Sequence, residues 1–153
     1  MSAYYLDTSA LIKRYVTETG SSWLLNLFSH PNLLLFTTRV TTVEVRSVLA
    51  RRRRETSITS KNHTDALKAF SEDSLTQYRF IDFDTIIADR AGELLDRHPL
   101  RAYDAIQLAS ALRINEVLTT ANLSSPTFLS ADNKLLAVAA AEGLPSDNPN
   151  DHP

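Results

Sequence analysis

Four acidic residues stand where the sequence predicts that regular elements begin or end. Asp7 follows one short apolar run and Asp132 closely follows another, while Glu44 and Asp104 lie within the first turns of two segments with helical patterning. If folding gathers these carboxylates, like charges a few ångströms apart repel by ~3 kcal/mol per pair at an effective dielectric constant near 20. Such a cluster requires protons or cations at neutral pH, and all-oxygen ligands favour Mg²⁺ or Mn²⁺.

Each carboxylate also has a simpler explanation. Asp7 and Asp132 precede helical segments, where Asp commonly caps free backbone N–H groups. Asp104 has Gln107 three positions later, which is the spacing of a capping box. Glu44 lies at the edge of an apolar stripe, from which its carboxylate can reach water. Taken singly, these residues leave both the structural and the chemical interpretation open.

The elements that must position these residues follow an alternating pattern. Short β-type runs are predicted at residues 4–6, 33–37, 79–83 and 127–129, with helical segments between them. This alternation indicates an α/β domain with a parallel sheet, in which ligands bind at the carboxyl ends of the strands. The acids after the first and last of these runs then share one sheet edge. The predicted helical segments are residues 9–16, 21–29, 41–54, 60–77, 85–96, 101–113 and 133–142.

Length and composition predict one folded domain. The chain has 153 residues, of which 43% are hydrophobic and 22% charged, which is ordinary for a folded globular domain. Residues 1–143 are expected to form this domain. Residues 144–153 contain three of the six prolines and few apolar side chains, so we expect a loosely held tail there.

Several function classes are excluded by composition. The absence of cysteine excludes disulfides, cysteine-ligated metals and thiol nucleophiles. Three scattered glycines cannot form a phosphate-binding or dinucleotide-binding loop. A net charge of −2 argues against indiscriminate nucleic-acid binding, so any such contact must be local. No secretory or membrane-spanning pattern occurs, and we expect a reducing, cytoplasmic location without membrane contact.

Four sequence blocks carry a family resemblance. They are YLDTSALIK at residues 5–13, TVEV at 42–45, AYDAIQLA at 102–109 and FLSADNKLL at 128–136. In this order they closely resemble the PIN-domain family, specifically the VapC-type toxins of bacterial toxin–antitoxin pairs. The likeness extends over residues 4–143, and no acid of the family pattern is missing.

The resemblance implies a fold, an activity and partners. The fold would be a PIN-like single α/β domain with a central parallel sheet of four or five short strands flanked by about seven helices. The activity would be that of a metal-dependent endoribonuclease toxin using Mg²⁺, with Mn²⁺ as a substitute, on single-stranded or looped RNA. A cognate antitoxin protein would inhibit it, and the chain would form a homodimer, for which the apolar segment 23–28 is a candidate surface. The implied site residues are Asp7, Glu44, Asp104 and Asp132 as metal ligands, with Ser130 as a polar accessory.

Three alternatives are weighed against this hypothesis. A phosphatase of the haloacid dehalogenase type needs Asp-x-Asp after its first strand, whereas Ser9 stands two residues after Asp7. An RNA-processing nuclease of the same family that has no antitoxin, and a binding module that uses its acids only as caps, remain open. Thr8 and Ser9 can either hydrogen-bond a ligand or cap the first helix, and capping is favoured. For the run of four arginines at residues 51–54, a solvated helix end is favoured over contact with RNA or a partner.

Overall fold

Five short strands form one parallel sheet at the centre of the computed structural model, which describes residues 1–153. The spatial order is β3-β2-β1-β4-β5, and all four neighbouring pairs are parallel. The predicted α/β class with a parallel sheet is therefore confirmed, with a fifth strand that the sequence pattern did not predict. The strands are β1 (Ser2–Leu6), β2 (Leu33–Thr38), β3 (Tyr78–Ile81), β4 (Thr127–Leu129) and β5 (Ser146–Asp147).

Seven α-helices connect and cover the strands. The first predicted helix is divided between a single α-helical turn and a 3₁₀ turn at Ile12–Arg14. The sixth continues to Thr120, beyond the predicted end at Arg113, because Ile114 and Leu118 extend its packing against the core. The helices are α1 (Thr8–Leu11), α2 (Ser21–Phe28), α3 (Thr41–Arg54), α4 (Ser60–Thr76), α5 (Thr85–Arg97), α6 (Ala102–Thr120) and α7 (Asn133–Ala141).

The sheet separates two apolar clusters. Neighbouring side chains of a strand point to opposite faces, so Tyr5 of β1 packs in one cluster and Leu6 packs in the other. The Tyr5 face is covered by α5, α6 and α7, and the Leu6 face by helices α1 to α4. Burial on both faces explains why these strands are nearly continuous apolar runs instead of alternating ones. None of the helices combines the length and apolar character that crossing a bilayer requires.

The C-terminal segment differs from the loosely held tail expected for residues 144–153. Leu144 is buried, and β5 extends the sheet beside β4. The His152 ring stacks on Trp23 with 4.2 Å between ring centroids. Gly20, at φ +85°, approaches the Pro149 backbone so closely that a Cβ would collide with its carbonyl. Backbone pairing and ring stacking thus hold residues 144–153 against the preceding residues without an apolar pattern, which is why the sequence indicated a loosely held tail there.

Candidate active site

A pocket of about 760 Å³ opens at the carboxyl ends of β1 and β4. All four acidic residues singled out in the sequence line it: Asp7, Glu44, Asp104 and Asp132. Asp7 comes from the end of β1 and Asp132 from the loop after β4, while Glu44 and Asp104 come from the first turns of α3 and α6. Parallel strands bring their carboxyl ends to one edge, which explains why residues far apart in the chain meet here.

Asp7 is the most buried acid of the pocket, with 7% of its surface exposed. Its Oδ2 accepts hydrogen bonds from the hydroxyls of Ser9, at 2.7 Å, and Ser130, at 2.8 Å. The Ser9 Oγ in turn accepts from the Ala131 N–H, and the Ser130 Oγ accepts from the Asp132 N–H. These contacts tie the loop after β4 to the end of β1 and fix the orientation of the Asp7 carboxylate.

The electrostatic surroundings of Asp7 disfavour its negative charge. Burial raises the pKa of the Asp7 carboxyl to about 6; the Ser9 and Ser130 hydroxyls lower it, and the negative charges of Glu44 and Asp104 raise it. Asp7 has no lysine or arginine partner within salt-bridge distance. A buried carboxylate with like charges nearby and no cation from the chain is a strong candidate for a functional group.

Glu44 is held by a polar network that reaches through the core. Its Oε1 accepts from the Thr8 hydroxyl at 3.0 Å and from the Gln107 side-chain amide at 2.9 Å. The Gln107 nitrogen also lies 3.0 Å from the Thr41 Oγ1, and its carbonyl oxygen accepts from the Tyr5 hydroxyl at 2.8 Å. With 1% of its surface exposed, Gln107 joins β1, α1 and α3 behind the pocket.

The remaining two acids are each engaged at one oxygen. The Asp104 Oδ2 accepts from the Arg101 guanidinium at 3.3 Å, a pair whose arginine side chain is 84% exposed. The Asp132 Oδ1 accepts from the backbone N–H groups of Lys134 and Leu135 at the start of α7. Capping is therefore a real role of Asp132, and it leaves the other oxygen of the carboxylate without a donor from the chain.

The predicted caps are only partly found. Asp7 precedes α1 but makes no side-chain capping bond. The capping box of Asp104 and Gln107 does not form, because α6 already begins at Ala102 and the Gln107 amide turns toward Glu44. Capping by Thr8 and Ser9 is also wrong: their hydroxyls bind the carboxylates of Glu44 and Asp7.

The donor set fits a hard divalent cation in chemical type. Of the four acids, only Asp104 has a basic partner, so the pocket wall carries negative charge that the chain does not neutralise. Carboxylate oxygens are the ligands that Mg²⁺ and Mn²⁺ prefer. The acids line one pocket without converging on a point, and no three acidic or histidine groups lie close enough to hold an ion as they stand.

Sequence reasoning missed the residues that support the acids. Gln107, Thr41 and Tyr5 form the network behind Glu44, although none of them was singled out for chemistry. One signal was available for Gln107, since it is a lone amide between Ile106 and Leu108 on the buried face of a helix. The role of Tyr5 had no such signal, because an aromatic residue in a strand is ordinary core.

Basic residues form another part of the pocket wall. Of the four consecutive arginines, Arg51 and Arg52 line the pocket, whereas Arg53 and Arg54 do not. Lys13, 4% exposed, pairs with Glu18 at 3.0 Å, and Glu18 also pairs with Arg52 at 2.8 Å. The arginine run is thus divided by the helix into a pair that faces the pocket and a pair that faces solvent.

The segment predicted as a candidate dimer surface is largely packed. In α2, Leu24 is buried and Trp23 is covered on one face by His152, which leaves Leu25 as its one large apolar side chain with half of its surface exposed. At the pocket mouth, Val43 and Tyr103 are more than half exposed.

Comparison with known proteins places the chain in a family. The model of the PIN domain family matches residues 4–141, which include all four acids of the pocket. The chain belongs to the PIN-domain family. Two relatives of this PIN domain come from Mycobacterium tuberculosis: Ribonuclease VapC45 of strain CDC 1551 and Ribonuclease VapC49 of strain H37Rv. Each is 34% identical over 116 residues, covering 76% of this chain and 79% of the relative. The resemblance to VapC-type proteins is confirmed.

Solved structures agree with the family assignment at the level of the fold. VapBC2 from Rickettsia felis, bound to a DNA fragment from its promoter, matches this PIN domain with a TM-score of 0.64 at 14% identity, over 95% of this chain and 98% of the other. FitAcB from Neisseria gonorrhoeae matches with a TM-score of 0.60 at 16% identity, over 95% and 97%. At these identities the likeness shows a common fold.

Proposed function

We propose that this PIN domain is a metal-dependent endoribonuclease that hydrolyses RNA phosphodiester bonds in the pocket lined by Asp7, Glu44, Asp104 and Asp132. The observation that carries the proposal is the buried Asp7 carboxylate, which faces two further acids and has no cation from the chain. The names of the two Mycobacterium tuberculosis relatives, both called ribonucleases, support RNA as the substrate class.

The chain's own residues prepare the pocket for a cation. The proposed ligands are the four carboxylates, with Mg²⁺ as the physiological ion and Mn²⁺ as a substitute. When bound, such an ion supplies a water of lowered pKa and neutralises charge that develops on the leaving oxygen. Ser9 and Ser130 hold the Asp7 Oδ2 through their hydroxyls, while Thr8 and Gln107 hold the Glu44 Oε1. These bonds orient one oxygen of Asp7 and one of Glu44, and the four carboxylates would draw closer together around the ion.

We further propose that the nuclease is the toxin of a toxin–antitoxin pair. Support comes from the VapC-type relatives and from structural neighbours that include a toxin–antitoxin complex from Klebsiella pneumoniae. A cognate antitoxin protein is the proposed inhibitor, and a homodimer the proposed assembly. Single-stranded or looped RNA is the proposed substrate, because its bases and backbone are accessible to a surface pocket.

The test compares the parent protein with Asp7→Asn on single-stranded RNA. We expect cleavage by the parent in Mg²⁺ or Mn²⁺, no cleavage after chelation with EDTA, and a loss of about a hundredfold or more in Asp7→Asn. The variant purified in parallel controls for contaminating nuclease. Cleavage in excess EDTA, or equal cleavage by both proteins, would contradict the proposal.

The toxin assignment has its own measurement in the same pair of proteins. Production of the parent without a partner should arrest growth of the host, whereas Asp7→Asn at the same level of folded protein should not. Normal growth together with RNA cleavage in vitro would indicate an RNA-processing enzyme, and the absence of both would indicate a binding module.

A further inference from the structure

One face of α3 runs along the pocket from the acidic site to the arginines. The residues of α3 that line the pocket come in three adjacent pairs, each four positions after the last: Val43 and Glu44, Ser47 and Val48, and Arg51 and Arg52. This spacing places them on one side of the helix. Arg51 follows Glu44 by seven positions, which corresponds to two turns and about 10 Å along the helix axis.

The two arginines on this face are presented in different ways. Arg52 is half-buried and held by Glu18, which also neutralises the buried Lys13. Arg51 is exposed and has no acidic partner on the chain. Lys13, Glu18 and Arg52 together keep one positive charge at this end of the pocket, and Arg51 adds a second that nothing in the chain neutralises.

Resting on the proposed function, we propose that Arg51 and Arg52 bind the phosphate backbone of the RNA strand a few nucleotides away from the bond that is cleaved. The acids and the arginines share one open pocket, so a strand that enters the acidic site continues along this face of α3. A guanidinium matches the geometry of a phosphate through paired N–H donors. Arg53 and Arg54 belong to the same run but do not line the pocket, so they make no such contact.

Charge explains why the pocket needs such a contact. Four carboxylates repel an RNA backbone, and a bound cation acts only at the reacting phosphate. A positive surface two turns further along the same face of α3 attracts the neighbouring phosphates and sets the direction of the strand. Arg51 and Arg52 are therefore positioning residues, which act on substrate affinity more than on the chemical step.

The run itself offers the control, because Arg51 and Arg54 lie in the last turn of the same helix and are both exposed. The experiment measures binding of a short fluorescein-labelled single-stranded RNA of mixed sequence by anisotropy, in the Asp7→Asn background with Mg²⁺, over a series of KCl concentrations. Adding Arg51→Ala should weaken binding about three- to tenfold and reduce the slope of log affinity against log salt by about 0.7, the value for one phosphate contact on a single strand. Arg54→Ala should change neither, and Arg51→Lys should retain most of the slope.

A second readout, cleavage kinetics in the otherwise unchanged protein, separates this inference from the proposed function. Arg51→Ala should raise KM with little change in kcat. Equal effects of Arg51→Ala and Arg54→Ala would overturn the inference in favour of a diffuse electrostatic effect. If the parent cleaves RNA but Arg51→Ala keeps the parental slope of log affinity against log salt, the arginine contact is refuted and the proposed nuclease function stands. If RNA binding depends on Arg51 but the parent never cleaves RNA, the arginine contact is supported and the proposed nuclease function is refuted.

Discussion

Asp7 and Asp132 occupy similar places in the chain, each shortly after a strand and immediately before a helix, yet the structure uses them differently. Asp7 is 7% exposed, makes no capping bond to α1 and accepts hydrogen bonds from the hydroxyls of Ser9 in α1 and Ser130 in the loop after β4. Asp132 lies nearer the surface, and its Oδ1 accepts hydrogen bonds from backbone N–H groups in the first turn of α7. The same local sequence pattern therefore gives a buried charge in one case and a helix cap in the other.

The difference follows from what lies around each position. Asp7 comes from the central strand β1, so Ser130 from the loop after the neighbouring strand β4 reaches its carboxylate, and the charge of Glu44 from α3, which follows β2, acts on it. Asp132 follows β4, which is flanked on its outer side only by the two-residue strand β5. Because Asp7 is buried at the centre of the sheet, its ionised form is unfavourable unless a cation neutralises it. Asp132 instead caps α7 with one carboxylate oxygen, and its other oxygen has no donor from the chain.

The largest effect expected from this comparison is a pH dependence of stability that belongs to Asp7. Burial raises the pKa of Asp7 from 3.8 to about 6 in the folded chain, which corresponds to about 3 kcal/mol. The folded state holds the proton of Asp7 more tightly than the unfolded state, so the protonated carboxyl stabilises the folded chain by this amount. The stabilisation is complete below about pH 4 and is lost as the pH rises through 6. Urea unfolding in EDTA should show that the parent loses this increment between pH 4 and about pH 7, relative to Asp7→Asn.

The matched control for that measurement is Asp132→Asn. This variant should keep the parental pH dependence, because Asp132 is not the group whose buried charge is in question. Parallel stability profiles of the parent and Asp7→Asn across this range would show that the Asp7 carboxylate is not destabilised by burial.

The next effect in size is stabilisation by metal. An ion that binds only the folded state adds RT ln(1 + [L]/Kd), or about 2.7 kcal/mol at a hundredfold excess over Kd. Thermal melting in EDTA and in excess Mg²⁺ should show this increment in the parent, its near-complete loss in Asp7→Asn and a partial loss in Asp132→Asn. Asp84→Asn serves as control, since Asp84 caps α5 outside the pocket. Equal increments in all four proteins would remove Asp7 and Asp132 from the ligand set.

The smallest effect separates the two roles of Asp132. Asp132→Ala should lower the free energy of unfolding in EDTA by about 1 kcal/mol through loss of the cap, whereas Asp132→Asn should leave it nearly unchanged because Asn caps about as well. Both variants should reduce RNA cleavage. Asp84→Ala should cost a similar amount of stability and leave cleavage intact. If Asp132→Asn cleaves RNA like the parent, Asp132 is a cap and nothing more.

Much of the fold is determined locally by the sequence. The apolar runs gave four of the five strands to within a few residues, and α3 has the predicted bounds Thr41–Arg54. These elements are readable because buried strands and amphipathic helices differ in length and apolar spacing. Strand β5 was not readable: its two residues, Ser146 and Asp147, carry no apolar pattern and pair because β4 offers them a free edge.

The features of the candidate site also fall into those that local sequence determines and those that tertiary packing decides. The sequence by itself determined which carboxylates precede or begin helices, because Asp and Glu at element ends follow local rules and the four blocks match a family. Only the tertiary structure decided that Gln107 turns inward to Glu44 instead of completing a capping box, and that two of four adjacent arginines face the pocket. Burial and partners from distant segments set these choices, and neither is encoded in the neighbouring residues. The charge of Asp7 is the clearest case, since its cost comes from the strands and acids that folding places around it.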